Sequence, residues 1–246
     1  MIRIVISGIS GRMGTRIGIL ASQDKNFEIA GGLEASSNPA IGNDVGENLA
    51  IGKIGKKIEA DFNKIVTSCD VLIEFTGVSS TLEHLDIAVK NKKSMVIGTT
   101  GFSADETAKI KEASKKIPIV FSPNMSVGAN LMFRITEEVA RALGENYDVE
   151  IIEAHHNQKK DAPSGTAKRL GEAVFKAKGK MPPMHSVRLG DIVGDHTVIF
   201  AGIGERIELT HKAHSRDALA KGALDAAKFL ADKKPGLYTM ADVIEK

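Results

Sequence analysis

The stretch Ile2-Arg-Ile-Val-Ile-Ser-Gly8-Ile-Ser-Gly11-Arg-Met-Gly14 decides the fold, because an apolar run leads through three glycines into a helical pattern. The run from Ile2 to Ile6 is typical of a buried parallel strand. Glycines between a strand and a helix allow a tight turn and let the backbone approach a pyrophosphate, and the helix start adds N–H groups and partial positive charge. The spacing G-x-x-G-x-x-G is a variant of the common dinucleotide loop, and an unliganded βα turn is the alternative interpretation.

An acidic residue at the end of the next predicted strand favours dinucleotide binding over a plain turn. Residues Phe27 to Leu33 form that strand, and Glu34 closes it. A carboxylate at this point can accept hydrogen bonds from both ribose hydroxyls of the adenosine and disfavours a 2′-phosphate. Ala35 follows where an NADP-preferring enzyme often carries a basic residue, so the pattern favours NADH, although Arg12 could still reach a phosphate.

Strands and helices continue to alternate up to about Asn124, which predicts βαβ units and a parallel sheet. Two turns follow strands of this sheet, Gly98-Thr-Thr-Gly101 and Ser122-Pro-Asn-Met125. In a doubly wound sheet these turns would face the nicotinamide, whereas each alone is more often only a turn. Residues 38–54 hold three glycines and little periodicity, which predicts a long surface excursion.

The pattern changes after Asn124 and predicts a second domain. Helices are predicted over 127–143 and 165–178, and three closely spaced β-type stretches near 186–189, 196–200 and 206–210 suggest an antiparallel sheet. A terminal helix follows. We therefore expect an α/β protein: a Rossmann-like, parallel-sheet dinucleotide domain of residues 1–126 and 214–246, with an inserted α+β domain of residues 127–213 that has a mixed or antiparallel sheet.

Residues Glu153 to Thr166, EAHHNQKKDAPSGT, form the most unusual stretch of the chain. Titratable histidines and lysines end a predicted strand there, and Ser164 is a good N-cap for the helix that follows. Because residue 167 is alanine, no capping-box carboxylate folds back, and we expect the N–H groups of Gly165 and Thr166 to be open to an external anion. The combination favours a proton-transfer site over a solvated polar loop. Side chains of the adjacent His155 and His156 point to opposite faces of a strand, so we expect no metal site.

Composition excludes several classes of protein. Hydrophobic residues make up 42% of the chain and charged residues 26%, as in ordinary globular proteins, and the net charge of +2 is too small to indicate nucleic-acid or anionic-membrane binding. The single cysteine, Cys69, excludes an internal disulfide and is interpreted as a half-buried structural thiol. The chain enters a strand at once and has no apolar run of membrane-spanning length, so we expect a cytoplasmic protein without membrane or nucleic-acid partners.

The motif E-A-H-H-x-x-K-x-D-A-P-S-G-T resembles the signature of the 4-hydroxy-tetrahydrodipicolinate reductase (dihydrodipicolinate reductase) family, which serves the diaminopimelate route to lysine. Similar segments extend over nearly the whole chain: the G-x-x-G-R-M-G loop, Gly98 to Gly101, Asn124 with Ser126-Val-Gly, Gly190 to His196 and Gly204 to Ala213. The resemblance implies hydride transfer from NADH or NADPH to a small dicarboxylate substrate, and a homotetramer. It leaves the choice of cofactor open, because Ala35 stands where some members carry an arginine for the NADP phosphate.

The resemblance also implies a role for each site residue. His155 would donate or accept a proton, Lys159 would donate one, and His156, Gly165 and Thr166 would bind the substrate. The cofactor would be held by three loops and one acidic residue: Gly8, Ile9, Ser10, Gly11, Arg12 and Met13; Glu34; Gly98, Thr99 and Thr100; and Ser122, Pro123, Asn124 and Met125. Lys160 matches no role and is interpreted as solvated.

Two other functions are compatible with parts of the sequence. Another two-domain dehydrogenase, acting on a sugar or an amino-acid semialdehyde, would share the glycine loop but would not need an anion-binding helix start beside paired histidines. A regulator that binds NAD(P) without chemistry would usually need a DNA-binding or partner domain, and we find no spare segment for one.

Overall fold

The computed structural model describes residues 1–245. The chain forms two compact units, one of Met1–Met125 with the chain from Leu219 onward, and one of Ser126–Ala218. Among the described residues, no helix is both long enough and apolar enough to cross a membrane.

The first unit is built on a seven-stranded sheet in which every neighbouring pair of strands is parallel, with the order β11-β6-β5-β4-β1-β2-β3. The strands are β1 (Ile2–Ser7), β2 (Phe27–Leu33), β3 (Ile58–Glu59), β4 (Val71–Glu74), β5 (Ser94–Ile97), β6 (Pro118–Phe121) and β11 (Gly236–Tyr238). Ile4, Val5 and Ile6 are each fully buried, as expected of a central strand that is covered on both faces.

Helices cover both faces of this sheet. They are α1 (Arg12–Ser22), α2 (Val45–Asn48), α3 (Val78–Lys90), α4 (Ala104–Ala113), α7 (Asp217–Leu230) and α8 (Met240–Ile244). Successive residues of β1 enter different cores: Ile4 and Ile6 belong to one hydrophobic cluster with residues of α1 and α7, and Val5 belongs to another with residues of α3 and α4. The first unit is therefore a doubly wound α/β domain, and the parallel-sheet prediction is confirmed.

The segment 38–54 does not lie wholly on the surface, and in this respect the sequence-based prediction is wrong. Val45 is fully buried and Leu49 is 2% exposed, both within the first hydrophobic cluster. One carboxylate organises the segment, because Asp44 caps α2 through the N–H groups of Gly46 and Glu47 and also accepts hydrogen bonds from the N–H groups of residues 54 and 55. A carboxylate that accepts hydrogen bonds from several backbone N–H groups can order a segment whose sequence has no apolar periodicity.

The second unit packs two helices on a four-stranded sheet with the order β10-β9-β7-β8. Its elements are α5 (Val127–Leu143), β7 (Asp148–His155), α6 (Gly165–Lys178), β8 (Met184–Arg188), β9 (Gly194–Gly202) and β10 (Glu205–Ala213). The pairs β7–β9 and β9–β10 are antiparallel. The sheet is therefore mixed, which is one of the two arrangements expected.

The position of β8 corrects the prediction that the three late β-type stretches form one antiparallel sheet. Strand β8 pairs in parallel with β7, on the side of β7 away from β9. The physical reason is the connection, because α6 lies between β7 and β8 and provides the crossover that parallel neighbours require. This register places Arg188 opposite His155 and Ser186 opposite Glu153.

Candidate active site

The glycine loop lies between β1 and α1, at the carboxyl end of the parallel sheet. Gly8 has a φ of +74°, and a Cβ added at Gly14 would lie 2.1 Å from the carbonyl oxygen of Gly8. A side chain at either position would thus require the loop or the helix to move. Among residues 1–245, no side chain caps the start of α1 and no acidic residue lies in its first turn. This close-packed backbone at an uncapped helix start suits a pyrophosphate.

Glu34 lies against the glycine loop. It directly follows β2, and its carboxylate accepts a hydrogen bond of 2.7 Å from the backbone N–H of Ser10. Strands β1 and β2 are sheet neighbours, so the loop and the carboxylate lie side by side at the same edge. The carboxylate predicted to bind the adenosine ribose is therefore next to the loop predicted to bind the pyrophosphate.

The other two segments predicted to bind the cofactor also follow parallel strands of this sheet. Thr99 and its neighbours follow β5, and Ser122 to Met125 follow β6. The N–H of Ser122 donates to the carbonyl of Ile97, and the Ser122 hydroxyl donates to the carbonyl of Asn124. Carboxyl ends of parallel strands form one edge, so all four predicted segments lie along the edge at which doubly wound sheets bind ligands.

Sequence reasoning missed a buried polar group at this same edge. Glu74 ends β4, is fully buried, accepts a hydrogen bond from the Thr76 hydroxyl and lies 2.7 Å from Nδ1 of His84. The backbone N–H of Thr76 in turn donates to the hydroxyl of Thr99. The sequence signal that could have identified Glu74 is the presence of an acidic residue inside the apolar run of residues 71–75.

In the second unit, His155 ends β7 and is 8% exposed. Its Nδ1 lies 2.5 Å from Oε2 of Glu153. Burial lowers the pKa of His155, and Glu153 offsets part of this effect, so the ring is neutral at neutral pH. Burial raises the pKa of Glu153, but hydrogen bonds from Arg188, Ser186 and His155 outweigh it and lower the pKa to about 2. An ionised carboxylate only accepts hydrogen bonds, so Nδ1 of His155 carries the proton of the neutral ring. Nε2 is then the unprotonated nitrogen.

Lys159 lies on the loop that follows β7. Its ammonium donates to Oδ1 of Asp161 at 2.8 Å, and its side chain is 22% exposed. That hydrogen bond and the positive charge of Lys159 lower the pKa of Asp161. His156 is partly buried and Lys160 is exposed. Lys159 is therefore a cation held near the loop by a carboxylate that is itself largely in solvent.

The start of α6 follows the same loop. Ser164 is 2% exposed, and its hydroxyl accepts from the N–H of Ala167, which confirms the predicted N-cap. Its Oγ is also 3.1 Å from Nε2 of His196, and its N–H donates to Oε1 of Glu153. Gly165 and Thr166 form the first turn of the helix, so they are placed by a residue that is bonded to the carboxylate beside His155.

Two further histidines lie behind His155, the buried His196 and the partly buried His211. The ring centroids of His155 and His196 are 5.1 Å apart, and those of His196 and His211 are 6.4 Å apart. Burial, together with smaller effects of the neighbouring His155 and His211, lowers the pKa of His196 to about 4. His196 therefore stays neutral, and it packs edge-on against His155 without competing for its proton.

Sequence reasoning missed Glu153, Arg188 and His196 as parts of this site. Glu153 was visible as a carboxylate two residues before His155 on the same strand face, but Arg188 reaches the site only because β8 pairs with β7. Within the described part of the chain, no cluster of three or more His, Cys, Asp or Glu side chains has the arrangement of a metal site.

Comparisons with known proteins agree over the full length of the chain. Residues 2–125 match the family description "Dihydrodipicolinate reductase, N-terminus", and residues 128–244 match "Dihydrodipicolinate reductase, C-terminus". The 4-hydroxy-tetrahydrodipicolinate reductases of Geotalea uraniireducens (strain Rf4) and Trichlorobacter lovleyi are each 46% identical to this chain, with 99% of this chain and 99% of the relative covered. A solved structure of dipicolinate-bound dihydrodipicolinate reductase from Paenisporosarcina sp. TG-14 has the same fold, with a TM-score of 0.83, 24% identity and 97% of both chains covered. The chain therefore belongs to the dihydrodipicolinate reductase family.

Proposed function

We propose that this protein is an enzyme that reduces 4-hydroxy-tetrahydrodipicolinate to tetrahydrodipicolinate, with release of water, in lysine biosynthesis through diaminopimelate. The observation that carries this proposal is the end-to-end similarity to curated reductases of that name, at 46% identity over 99% of both chains. The site supports it independently, since a buried histidine, a lysine and a helix start come together at one end of β7.

The reaction needs groups that handle charge and protons. Loss of water from the hydroxylated ring gives a conjugated imine, and hydride addition at its carbon end moves an electron pair towards the ring nitrogen. One proton must then be delivered, so one reduced cofactor and one proton are consumed for each water released. Lys159 and His155 are the groups that we assign to charge stabilisation and proton transfer.

The dicarboxylate substrate requires an anion-binding position. We assign this role to Gly165 and Thr166 in the first turn of α6, with His156 on the preceding loop. The partial positive charge of a helix start and its backbone donors favour a carboxylate. The solved relative contains dipicolinate, which supports pyridine-2,6-dicarboxylate as a competing probe for this position.

The cofactor of this family is a nicotinamide dinucleotide, which supplies the hydride when bound. We propose that the Gly8–Met13 loop holds its pyrophosphate, Glu34 its ribose, and residues 98–100 and 122–125 the nicotinamide side. Because Glu34 is a carboxylate and Ala35 is not basic, we propose a preference for NADH over NADPH. Values of kcat/KM measured with both cofactors test this, and a higher value with NADPH would contradict it.

The decisive experiment is turnover with freshly generated 4-hydroxy-tetrahydrodipicolinate, followed by cofactor oxidation and by identification of the product. We expect stoichiometric conversion. Binding of NADH without turnover would contradict an enzymatic role and favour the regulator, and turnover only with sugars or semialdehydes would favour another dehydrogenase.

We further propose a homotetramer in the cytoplasm, with the second unit as the substrate-binding and oligomerisation domain. The resemblance to the reductase family supports this assembly. Light scattering after gel filtration gives the mass directly, and a monomer or dimer at working concentration would contradict the tetramer. Cell fractionation tests the location.

A further inference from the structure

The guanidinium of Arg188 uses all five of its N–H donors within the candidate site. Two go to the carboxylate of Glu153, at 2.9 and 2.8 Å, and one to the neighbouring carbonyl of Val187. The remaining two go to the backbone carbonyls of Lys159 and Asp161, at 3.3 and 2.6 Å. One side chain therefore binds both the buried carboxylate and the loop that carries Lys159.

The carboxylate of Glu153 is the other half of this arrangement, and it is fully buried. Besides Arg188, Oε2 faces Nδ1 of His155 at 2.5 Å and Oε1 accepts from the N–H of Ser164 at 3.3 Å. Glu153 therefore contacts three parts of the site at once: the histidine, the cap of α6 and, through Arg188, the lysine loop.

Geometry makes the position of Arg188 specific to arginine. Lysine has three donors at a single point, so it cannot reproduce two parallel bonds to a carboxylate and reach two carbonyls as well. Four groups that are charged or can be charged face His155: Glu153 from its own strand, Lys159 from the loop, Arg188 from β8 and His196 from β9. Only Glu153 among them stabilises a proton on His155.

We propose that Glu153 and Arg188 are positioning residues for the reduction. Glu153 fixes the Nδ1–H tautomer and the orientation of the His155 ring, so that Nε2 is the nitrogen that exchanges a proton. Arg188 holds Glu153 ionised and fixes the backbone from which Lys159 extends. This inference rests on the proposed function, because it assigns a purpose to the surroundings of His155 and Lys159.

A buried ion pair could instead serve only to join β8 to β7. Such a role would change stability but would leave the tautomer and the titration of His155 in the folded enzyme unchanged. The two explanations are separated by measurements made on His155 itself and on kcat, not by stability.

The test compares Glu153→Gln and Arg188→Lys with a matched control, Glu150→Gln. Glu150 also lies on β7 and also contacts a histidine, since its Oε2 is 2.8 Å from Nε2 of His185, but both side chains are more than half exposed. For each full-length variant, kcat and KM are measured across pH, and the ring nitrogens of His155 are observed by NMR in ¹⁵N-labelled protein.

In Glu153→Gln we expect kcat to fall at least about 10-fold, with an upper limit near the roughly 10²–10⁴-fold loss typical of removing a proton-transfer group. The titration midpoint of His155 moves to lower pH, because the carboxylate that favours its protonated form is gone. The proportion of Nε2–H tautomer rises. Arg188→Lys lowers kcat, whereas Glu150→Gln resembles the wild type in every measurement.

An unchanged tautomer, midpoint and kcat in folded Glu153→Gln would overturn the inference. If Glu153→Gln does not fold, the double variant Glu153→Gln/Arg188→Gln, which leaves no unpaired charge, takes its place with the same criteria. His155→Gln is measured alongside. If it retains full activity, the proposed role of His155 has failed; if it loses activity while Glu153→Gln does not, only the positioning role has failed.

Discussion

Replacing Lys159 with alanine separates chemistry from folding more cleanly than any other change in the site. Within residues 1–245 the lysine ammonium is paired with Asp161 alone, whose side chain is 59% exposed, and exposed pairs contribute at most about 1 kcal/mol to stability. The structural bond of residue 159 is made by its backbone carbonyl to Arg188, and truncation leaves that bond in place. We therefore expect a small change in unfolding free energy.

The effect on catalysis should be much larger. Removing a proton-transfer group typically costs about 10²- to 10⁴-fold in rate, which corresponds to roughly 3–5 kcal/mol in activation free energy. We expect this loss in kcat, with NADH affinity unchanged because Lys159 is not among the residues that we assign to the cofactor.

Lys160→Ala provides the matched control, since the neighbouring lysine is exposed and has no assigned role. Steady-state kcat and KM, the dissociation constant for NADH and the thermal midpoint are measured for both variants. Lys159→Arg adds a further distinction, because arginine keeps the charge but does not release its proton. Partial activity in Lys159→Arg would indicate charge stabilisation, and none would indicate proton transfer.

A kcat for Lys159→Ala equal to that of Lys160→Ala would refute the assignment. A parallel fall in thermal midpoint and kcat would also refute the reasoning, because it would show that the pair with Asp161 is structural.

Three further predictions concern other parts of the molecule. Thr166→Val should weaken competitive inhibition by pyridine-2,6-dicarboxylate, and an unchanged inhibition constant would remove the anion-binding role of the α6 start. Gly14→Ala should raise the dissociation constant for NADH and cost roughly 1–3 kcal/mol of stability, since the new Cβ would lie 2.1 Å from the Gly8 carbonyl oxygen. Fluorescence titration measures the dissociation constant and calorimetry measures the stability, and unchanged values of both would contradict the prediction. Burial raises the pKa of Cys69 from 9.0 to about 11, so the stability contributed by the neutral thiol is complete below pH 9.0 and is lost as the pH rises through about 11. The wild type should therefore lose stability in that pH range relative to Cys69→Ala, and its thiol should resist alkylation at neutral pH. Rapid alkylation of the native protein would contradict this prediction.

Elements with strong local signals were predicted well. Helices α5 and α6 have the predicted bounds, because each combines an amphipathic pattern with a serine cap. The glycine loop and Glu34 were also evident, since one strand, one helix and one acidic residue lie within a short stretch of chain. These features depend on neighbours in sequence, which periodicity and capping chemistry report directly.

Features that depend on distant pairing were not predicted. Nothing in residues 184–188 indicates that β8 will pair with β7 and not with β9, and the short strand β11 at the sheet edge had no apolar run to reveal it. Arg188 looked like a surface residue for the same reason, because it meets Glu153 across 35 positions of sequence. The histidine motif could be assigned from sequence, but its partners could be identified only after the strand order was known.

The burial of α7 in the first unit affects the order in which the protein is made. Ala223, Ala226 and Leu230 fill one face of the parallel sheet, and β11 pairs with β6. During synthesis the second unit leaves the ribosome complete while the first still lacks this helix and strand. The nascent first unit therefore exposes an apolar sheet face and an unpaired strand edge until α7 and β11 have followed the second unit out of the ribosome, and such surfaces favour aggregation.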